Sequence, residues 1–284
     1  MKIGMNLLLW SGHVTAEQFP VMARLKAEGY DGVELPLFEG DANHYRMIRA
    51  ELDRQGLSCT AVTVVGPEAS PISEDPKVRA AALDRLKWAI EMASIAGAEN
   101  LCGPFHSPLG VFSGQPPTEA EKARAADVLR EAAEFAQQAK VRLCIEYLNR
   151  FECYFLTTAA DAVALVHRVN HPNFRAMFDT FHAHIEEKSQ AAGIYQVSPV
   201  LSHVHISEND RGTPGTGQVH WDEAFATLRQ VGYDGWLVIE SFGRALPALA
   251  AATKVWRDLF PSPENVYRRG LAFIRKMWEL HEPM

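Results

Sequence analysis

Four short β-rich runs in the second half of the chain each finish on a side chain that can bind a hard or borderline metal ion. Arg-Leu-Cys-Ile runs into Glu146, Ala-Met-Phe into Asp179, Ser-His-Val into His205 and Trp-Leu-Val-Ile into Glu240. The separations are 33, 26 and 35 residues, about one strand–helix unit each. If successive strands lie side by side in a closed parallel barrel, these ends meet at its C-terminal rim, where barrel enzymes keep their chemistry. Three carboxylates gathered there repel one another, and a divalent cation removes the repulsion. Three carboxylates with one imidazole suit Mn²⁺, with Mg²⁺ and Co²⁺ as alternatives. No thiolate is among them, which argues against a structural zinc site. Any one of the four alone reads as an ordinary polar strand end meeting water; the joint pattern carries the expectation. His203 lies two residues before His205 and so shares its face. One layer deeper, it suits a hydrogen-bonded histidine supporting the site.

The elements needed to position these residues recur along the whole chain. Strands are predicted at 3–9, 32–37, 57–65, 99–103, 142–147, 176–179, 202–206 and 236–240. Helices are predicted between them, at 15–28, 43–55, 76–96, 118–140, 158–169, 186–195, 221–231 and 245–260. The helix signals are apolar residues at helical spacing, capping residues and glycine stops at Gly29, Gly56 and Gly97. Strands alternating with helices pair in parallel. Eight such units predict a single (β/α)8 barrel domain spanning 1–284, with an extra C-terminal helix over 263–280 packed outside it or against a partner subunit. A doubly wound open sheet is the rival fold, but Leu-Leu-Trp-Ser-Gly-His follows the first strand where that fold shows a glycine-rich phosphate loop. Two long connections, 66–75 and 103–117, follow strands and therefore belong to the rim, where they can cover a ligand.

Composition narrows the partners. The 284-residue chain has a formal net charge of −7 and no run of clustered Lys and Arg, so neither nucleic acid nor an anionic membrane is an expected partner. No apolar run reaches the roughly 18 residues of a membrane span, and the N-terminal run is too short for a signal peptide; a cytoplasmic protein is expected. Cys59, Cys102, Cys144 and Cys153 form no Cys-x-x-Cys pair and read as small buried hydrophobes in a reducing compartment.

The segments around the four strand ends carry a resemblance. They read IEYLNRFE at Glu146, FDTFHAHIEE at Asp179, HVHISENDRGTPGTG at His205, and YDGWLVIESF at Glu240 followed by VWRDL. Together they resemble the D-tagatose 3-epimerase family, which includes D-psicose (allulose) and L-ribulose 3-epimerases, within the xylose isomerase-like barrels. The resemblance runs in order over the whole chain and is strongest from Glu146 to Phe242. It implies that Glu146, Asp179, His205 and Glu240 bind one Mn²⁺-type ion, with no nucleotide or redox cofactor. It further implies that Glu152, His182 and Arg211 hold the O1–O3 end of a sugar, with Phe242 flanking the pocket and Trp10 and Phe112 lining it. Two or four copies per assembly are typical of the family. The chain departs from the family pattern at Ala183–His184, at Ser207-Glu208-Asn209 and in the two long loops, which shape the far end of the sugar.

The chemistry implied is inversion at C3 of a ketose, such as D-tagatose, D-fructose, D-psicose or L-ribulose. A C–H proton beside a carbonyl leaves, giving an enediolate, and a proton returns on the opposite face. Glu146 and Glu240, on strands five and eight with two strands between them, are placed to flank the ligand and exchange acid and base roles. The alternatives are an aldose–ketose isomerase, or a lyase on the same barrel of the inosose dehydratase or C-glycoside deglycosidase type. An apurinic-site nuclease on this barrel needs about three zinc ions and a basic face, against which the net charge of −7 weighs.

Overall fold

The computed structural model describes residues 1–282. Its eight strands are β1 (Lys2–Asn6), β2 (Gly32–Pro36), β3 (Ser58–Val62), β4 (Ala98–Gly103), β5 (Arg142–Ile145), β6 (Phe174–Asp179), β7 (Leu201–Ile206) and β8 (Trp236–Ile239). All pair in parallel and in chain order, and the barrel closes where β8 meets β1, Lys2 opposite Trp236 through Met5 opposite Ile239. The helices among the described residues are α1 (Phe19–Glu28), α2 (Ala42–Gln55), α3 (Pro76–Ala96), α4 (Glu119–Gln138), α5 (Ala159–Val169), α6 (Thr180–Glu186), α7 (Gln190–Val197), α8 (Trp221–Gln230), α9 (Pro247–Thr253) and α10 (Pro263–Leu280). None is long and apolar enough to cross a membrane.

Local chemistry sets the boundaries. The strands are covered on both faces, so most of their residues are apolar and buried, and buried polar ones such as Glu34 and Thr60 are hydrogen-bonded inside the barrel. Thr118 opens α4 by accepting the Glu121 N–H, while the Glu121 carboxylate accepts the Thr118 N–H. The predicted stops at Gly29, Gly56 and Gly97 adopt left-handed φ of 98°, 65° and 77° and return their N–H groups to the last turn. All four cysteines are free and buried. Cys102 and Cys144 pack with Met177 beneath the rim, as small hydrophobes would.

Several predicted elements change: the helix predicted over 15–28 opens with a 3-10 turn at Ala16–Gln18, the strand predicted over 57–65 ends at Val62, and three others change further. The first strand stops at Asn6, whose side-chain oxygen accepts the Leu8 N–H and turns Leu7–Leu9 into a 3-10 turn. The helix predicted over 186–195 starts later, as α7 capped by Ser189, and is preceded by an unpredicted helix, α6, capped by Asp179, with Glu187 extended between them. The helix predicted over 245–260 shrinks to α9, because Lys254 turns left-handed at φ 61° and the chain beyond folds Val255 and Leu259 in with Leu8, Val62 and Phe242. Helix α10 keeps its expected bounds. It lies on the outside of β8, where Gly270 leaves no room for a Cβ, which would come within 2.7 Å of Ile239 Cδ1. The Tyr30 hydroxyl donates to the Tyr267 carbonyl, and Arg275 donates to Gly29 O. These contacts seat α10 against the start of β2 and the end of α1, and it packs on α8 from the other side.

Candidate active site at the barrel mouth

Strand register delivers the four predicted side chains to one place. A register shift between β6 and β7 at Ala176–Met177 leaves Asp179 directly opposite His205, the re-aiming that bulges provide. Glu146 and Glu240 each stand one residue past their strands, and their N–H groups still donate to Gly103 O and Ile206 O of the neighbouring strands. One ligand atom from each of Glu146, Asp179, His205 and Glu240 lies within 4.8 Å of all the others. Each residue is at most 5% exposed.

The donor set fits a cation. His205 Nε2 is 2.8 Å from Glu34 Oε1, while its Nδ1 is buried without a hydrogen-bond partner. That Nδ1 faces Glu240 Oε1 at 3.3 Å and Asp179 Oδ2 at 3.7 Å. A neutral imidazole donating from Nε2 thus turns a lone pair toward two carboxylates, which only a proton or a metal ion can reconcile. The titration directions show the same tension. Burial pushes Glu146 well above the usual carboxylate range, and the Glu240 charge adds to it. Burial also acts to raise Glu240, but the charges of His205 and Arg211 outweigh it and hold Glu240 low. Burial pulls His205 down, and the Glu240 and Glu34 charges more than reverse it. Two carboxylates pushed in opposite directions are the usual mark of an acid–base pair.

Arg211 closes one side. Its Nη1 donates to Glu240 Oε2 at 2.8 Å, Ser207 Oγ at 3.1 Å and Asp179 Oδ2 at 3.2 Å. Its guanidinium is sandwiched between the rings of Phe181 (3.7 Å) and Phe242 (4.9 Å). The loop that presents it is tied to Glu208, a fully buried carboxylate accepting from the N–H groups of Asn209, Gly215 and Val219 and from Trp221 Nε1. Within this loop Arg211 itself takes a left-handed φ of 66°.

His182 stands beside Arg211. The Asn149 N–H donates to its Nδ1 at 2.9 Å, so the ring proton belongs on Nε2. That nitrogen lies 3.6 Å from Glu146 Oε1 and only 3.1 Å from Arg211 Nη2. Two donors facing each other across this gap suit an oxygen ligand that accepts from both. Burial, helped by the Arg211 charge, pushes His182 down to about 3, so it is a neutral donor at pH 7. Glu152 accepts from Asn149 Nδ2 at 2.9 Å; burial raises its carboxyl, and the Arg211 charge partly offsets this.

The structure therefore gathers Glu146, Asp179, His205, Glu240, Glu152, His182, Arg211 and Phe242 at one mouth. Trp10 and Phe112 stand apart from this hydrogen-bond network. Trp10 packs against Tyr267 of α10, ring centroids 6.2 Å apart. Phe112 is 48% exposed on the β4–α4 connection, where it shares a groove with Pro67, Ile72 and Tyr154. His203 is fully buried beneath His205, its Nε2 3.1 Å from Glu34. Sequence reasoning missed Asn6, Glu34, Asn149, Phe181 and Glu208. The available signal was a polar or charged residue inside or beside an apolar strand.

Comparison with known proteins agrees with this geometry. The profile of the xylose isomerase-like TIM barrel family matches residues 22–277. A ketose 3-epimerase of Arthrobacter globiformis is 32% identical over 99% of this chain and 100% of its own length. A D-psicose 3-epimerase of Agrobacterium fabrum is 32% identical over 97% of this chain and 98% of its own. Among solved structures, a D-allulose 3-epimerase from Methylomonas sp., in complex with D-allulose, superposes with a TM-score of 0.91 at 28% identity, covering 98% of this chain and 97% of that one.

Proposed function

Because the chain belongs to the xylose isomerase-like TIM barrel family, among its ketose 3-epimerases, we propose that it inverts C3 of a free keto-sugar of the D-tagatose, D-fructose, D-psicose or L-ribulose type. Isomerase chemistry follows from the relatives. The reading of the site rests above all on one observation, the convergence of Glu146, Asp179, His205 and Glu240 at the barrel mouth.

In this reading those four side chains hold one divalent cation, Mn²⁺ before Mg²⁺ or Co²⁺, since the set is carboxylate-rich with a single imidazole. When bound, the ion stabilises negative charge developing on the sugar oxygens as the C3 proton leaves. Glu146 and Glu240 flank the ligand. One takes the C3 proton from its face while the other, already protonated, delivers a proton to the opposite face, and the roles exchange for the other epimer. Neutral His182 and the Arg211 guanidinium donate side by side to oxygens at the O1–O3 end. Glu152 accepts from a sugar hydroxyl there, and Phe242 and Phe181 keep Arg211 flat and dry. Such positioned acid–base groups contribute about 10² to 10⁴ in rate. No nucleotide or redox cofactor enters. Phe151 and Trp256, each 70% exposed, suit contact surfaces in a dimer or tetramer of this chain.

Incubation with candidate ketoses in D₂O and Mn²⁺ tests the function. Deuterium should appear at C3 of both epimers, and exchange should cease after chelation. Label at C1 with an aldose as product would make the enzyme an aldose–ketose isomerase instead. An enone or a released aglycone would make it a lyase.

A further inference from the structure

We infer that Glu34, which lies outside the motifs at the four strand ends, is a positioning residue: its carboxylate accepts a hydrogen bond from the His205 Nε2–H and so keeps the Nδ1 lone pair aimed at Asp179 and Glu240. The inference rests on the metal reading above and assigns how the single imidazole of that site is oriented.

Glu34 sits in the middle of β2, in Gly-Val-Glu-Leu-Pro, and is fully buried. Its strand neighbours in register are Asn6 on β1 and Thr60 on β3, and both turn donors onto it. Asn6 Nδ2 lies 3.0 Å from Oε1, and the Thr60 hydroxyl lies 2.8 Å from Oε2. The other side of the barrel supplies two imidazoles, His205 Nε2 at 2.8 Å from Oε1 and His203 Nε2 at 3.1 Å from Oε2. Oε1 thus has two donors, and Oε2 has the Thr60 hydroxyl with the His203 ring nitrogen close beside it, so the carboxylate is surrounded by positive and donor groups. Asn6 Nδ2 is also 3.2 Å from Glu240 Oε1, which joins this layer to the one above.

Such a group is an expensive way to fill a barrel. A buried charge, even well paired, is seldom more stabilising than apolar side chains of the same volume. Its effect on His205 supplies a reason. A neutral imidazole carries one ring proton and has two places to keep it. With Glu34 present, the proton stays on Nε2, and Nδ1 is left without a hydrogen-bond partner. Without Glu34, Glu240 Oε1, 3.3 Å from Nδ1, becomes the better acceptor. The proton then moves to Nδ1 and blocks it as a ligand. A carboxylate behind a coordinating histidine sets both its tautomer and its basicity, and losing it typically weakens metal binding about 10- to 100-fold.

The test is a double-mutant cycle on Mn²⁺ affinity, read from the free-ion electron spin resonance signal on chelator-stripped full-length protein. Glu34→Gln keeps the shape but brings an NH₂ among four donors; it should weaken Mn²⁺ binding about 10- to 100-fold. In a His205→Asn background, where three carboxylates still bind the ion, the same change should cost no more than about twofold. An equal loss in both backgrounds would show that Glu34 acts only as a distant charge, and no loss in the parent would remove it from the site; either overturns the inference. Circular dichroism checks folding, and if Glu34→Gln does not fold, Glu34→Asp, which withdraws the carboxylate from His205, runs the same cycle. A parent protein that binds no divalent ion would instead refute the metal reading itself, and the inference with it.

Discussion

Loading the chelated protein with Mn²⁺ should release between one and two protons per site at pH 7. Five carboxylates, those of Glu34, Glu146, Glu152, Asp179 and Glu240, are gathered around the single guanidinium of Arg211. With all five ionised, the cluster carries a net charge of about four negative units. Burial and the Glu240 charge push Glu146 up, and the surrounding carboxylates overcome burial to push His205 up. Both shifts favour the protonated forms in the ion-free site, and holding both protons would reduce the excess to two. One dication replacing both protons leaves that balance unchanged, so exchange rather than simple addition is the favourable course. The sign follows from the direction of the shifts. Both pKa values are raised, so both protons are present below the folded values and are lost as pH rises through them. Mn²⁺ competes with those protons, and its affinity should climb by about one to two decades per pH unit until that range is passed. Because the groups interact, the profile belongs to the cluster rather than to either residue. Isothermal titration at one pH in buffers of different ionisation enthalpy gives the proton count as a slope. A slope near zero, or an affinity flat with pH, would refute the argument. Saturation at about 100 times Kd should also stabilise the fold by about 2.7 kcal/mol.

Arg211→Lys should lower kcat/KM by about a hundredfold or more in the deuterium-exchange assay, because an ammonium cannot reproduce the planar fork stacked between Phe181 and Phe242 while reaching two carboxylates. Glu208→Gln leaves four buried donors facing an amide; it should cost about 1–3 kcal/mol in urea unfolding and reduce activity further by loosening the loop that presents Arg211. Ile274→Ala, at a fully buried position of α10, should destabilise by about 2–5 kcal/mol in the same unfolding assay. A loss near zero would mean that α10 is dispensable to the barrel.

What the sequence disclosed and what it hid divide along a physical line. A strand covered on both faces is apolar throughout, so a charged residue that ends one is conspicuous. Glu146, Asp179, His205 and Glu240 were legible for that reason, and their one-unit spacing implied the barrel that joins them. Helices α3 and α10 were legible to the residue because each opens with a capping side chain followed by proline. The stretch after β8 misled, since Ala-Leu-Pro-Ala-Leu-Ala-Ala-Ala has strong helix propensity. That stretch does form α9, but the helix stops at Lys254 as Val255 and Leu259 pack with Leu8, Val62 and Phe242, a demand that no local pattern records.

Glu34 is the more instructive omission. Its four partners come from three other strands, one each from β1 and β3 and two from β7 across the barrel. No spacing along the chain reveals that meeting; only the closed barrel does. The signal itself obeyed the rule that exposed the other four: an ionisable side chain in an otherwise apolar strand must find donors or a cation. Applied to strand interiors as well as strand ends, that rule selects Glu34 and His203 together, and it ties the layer beneath the mouth to the chemistry above it.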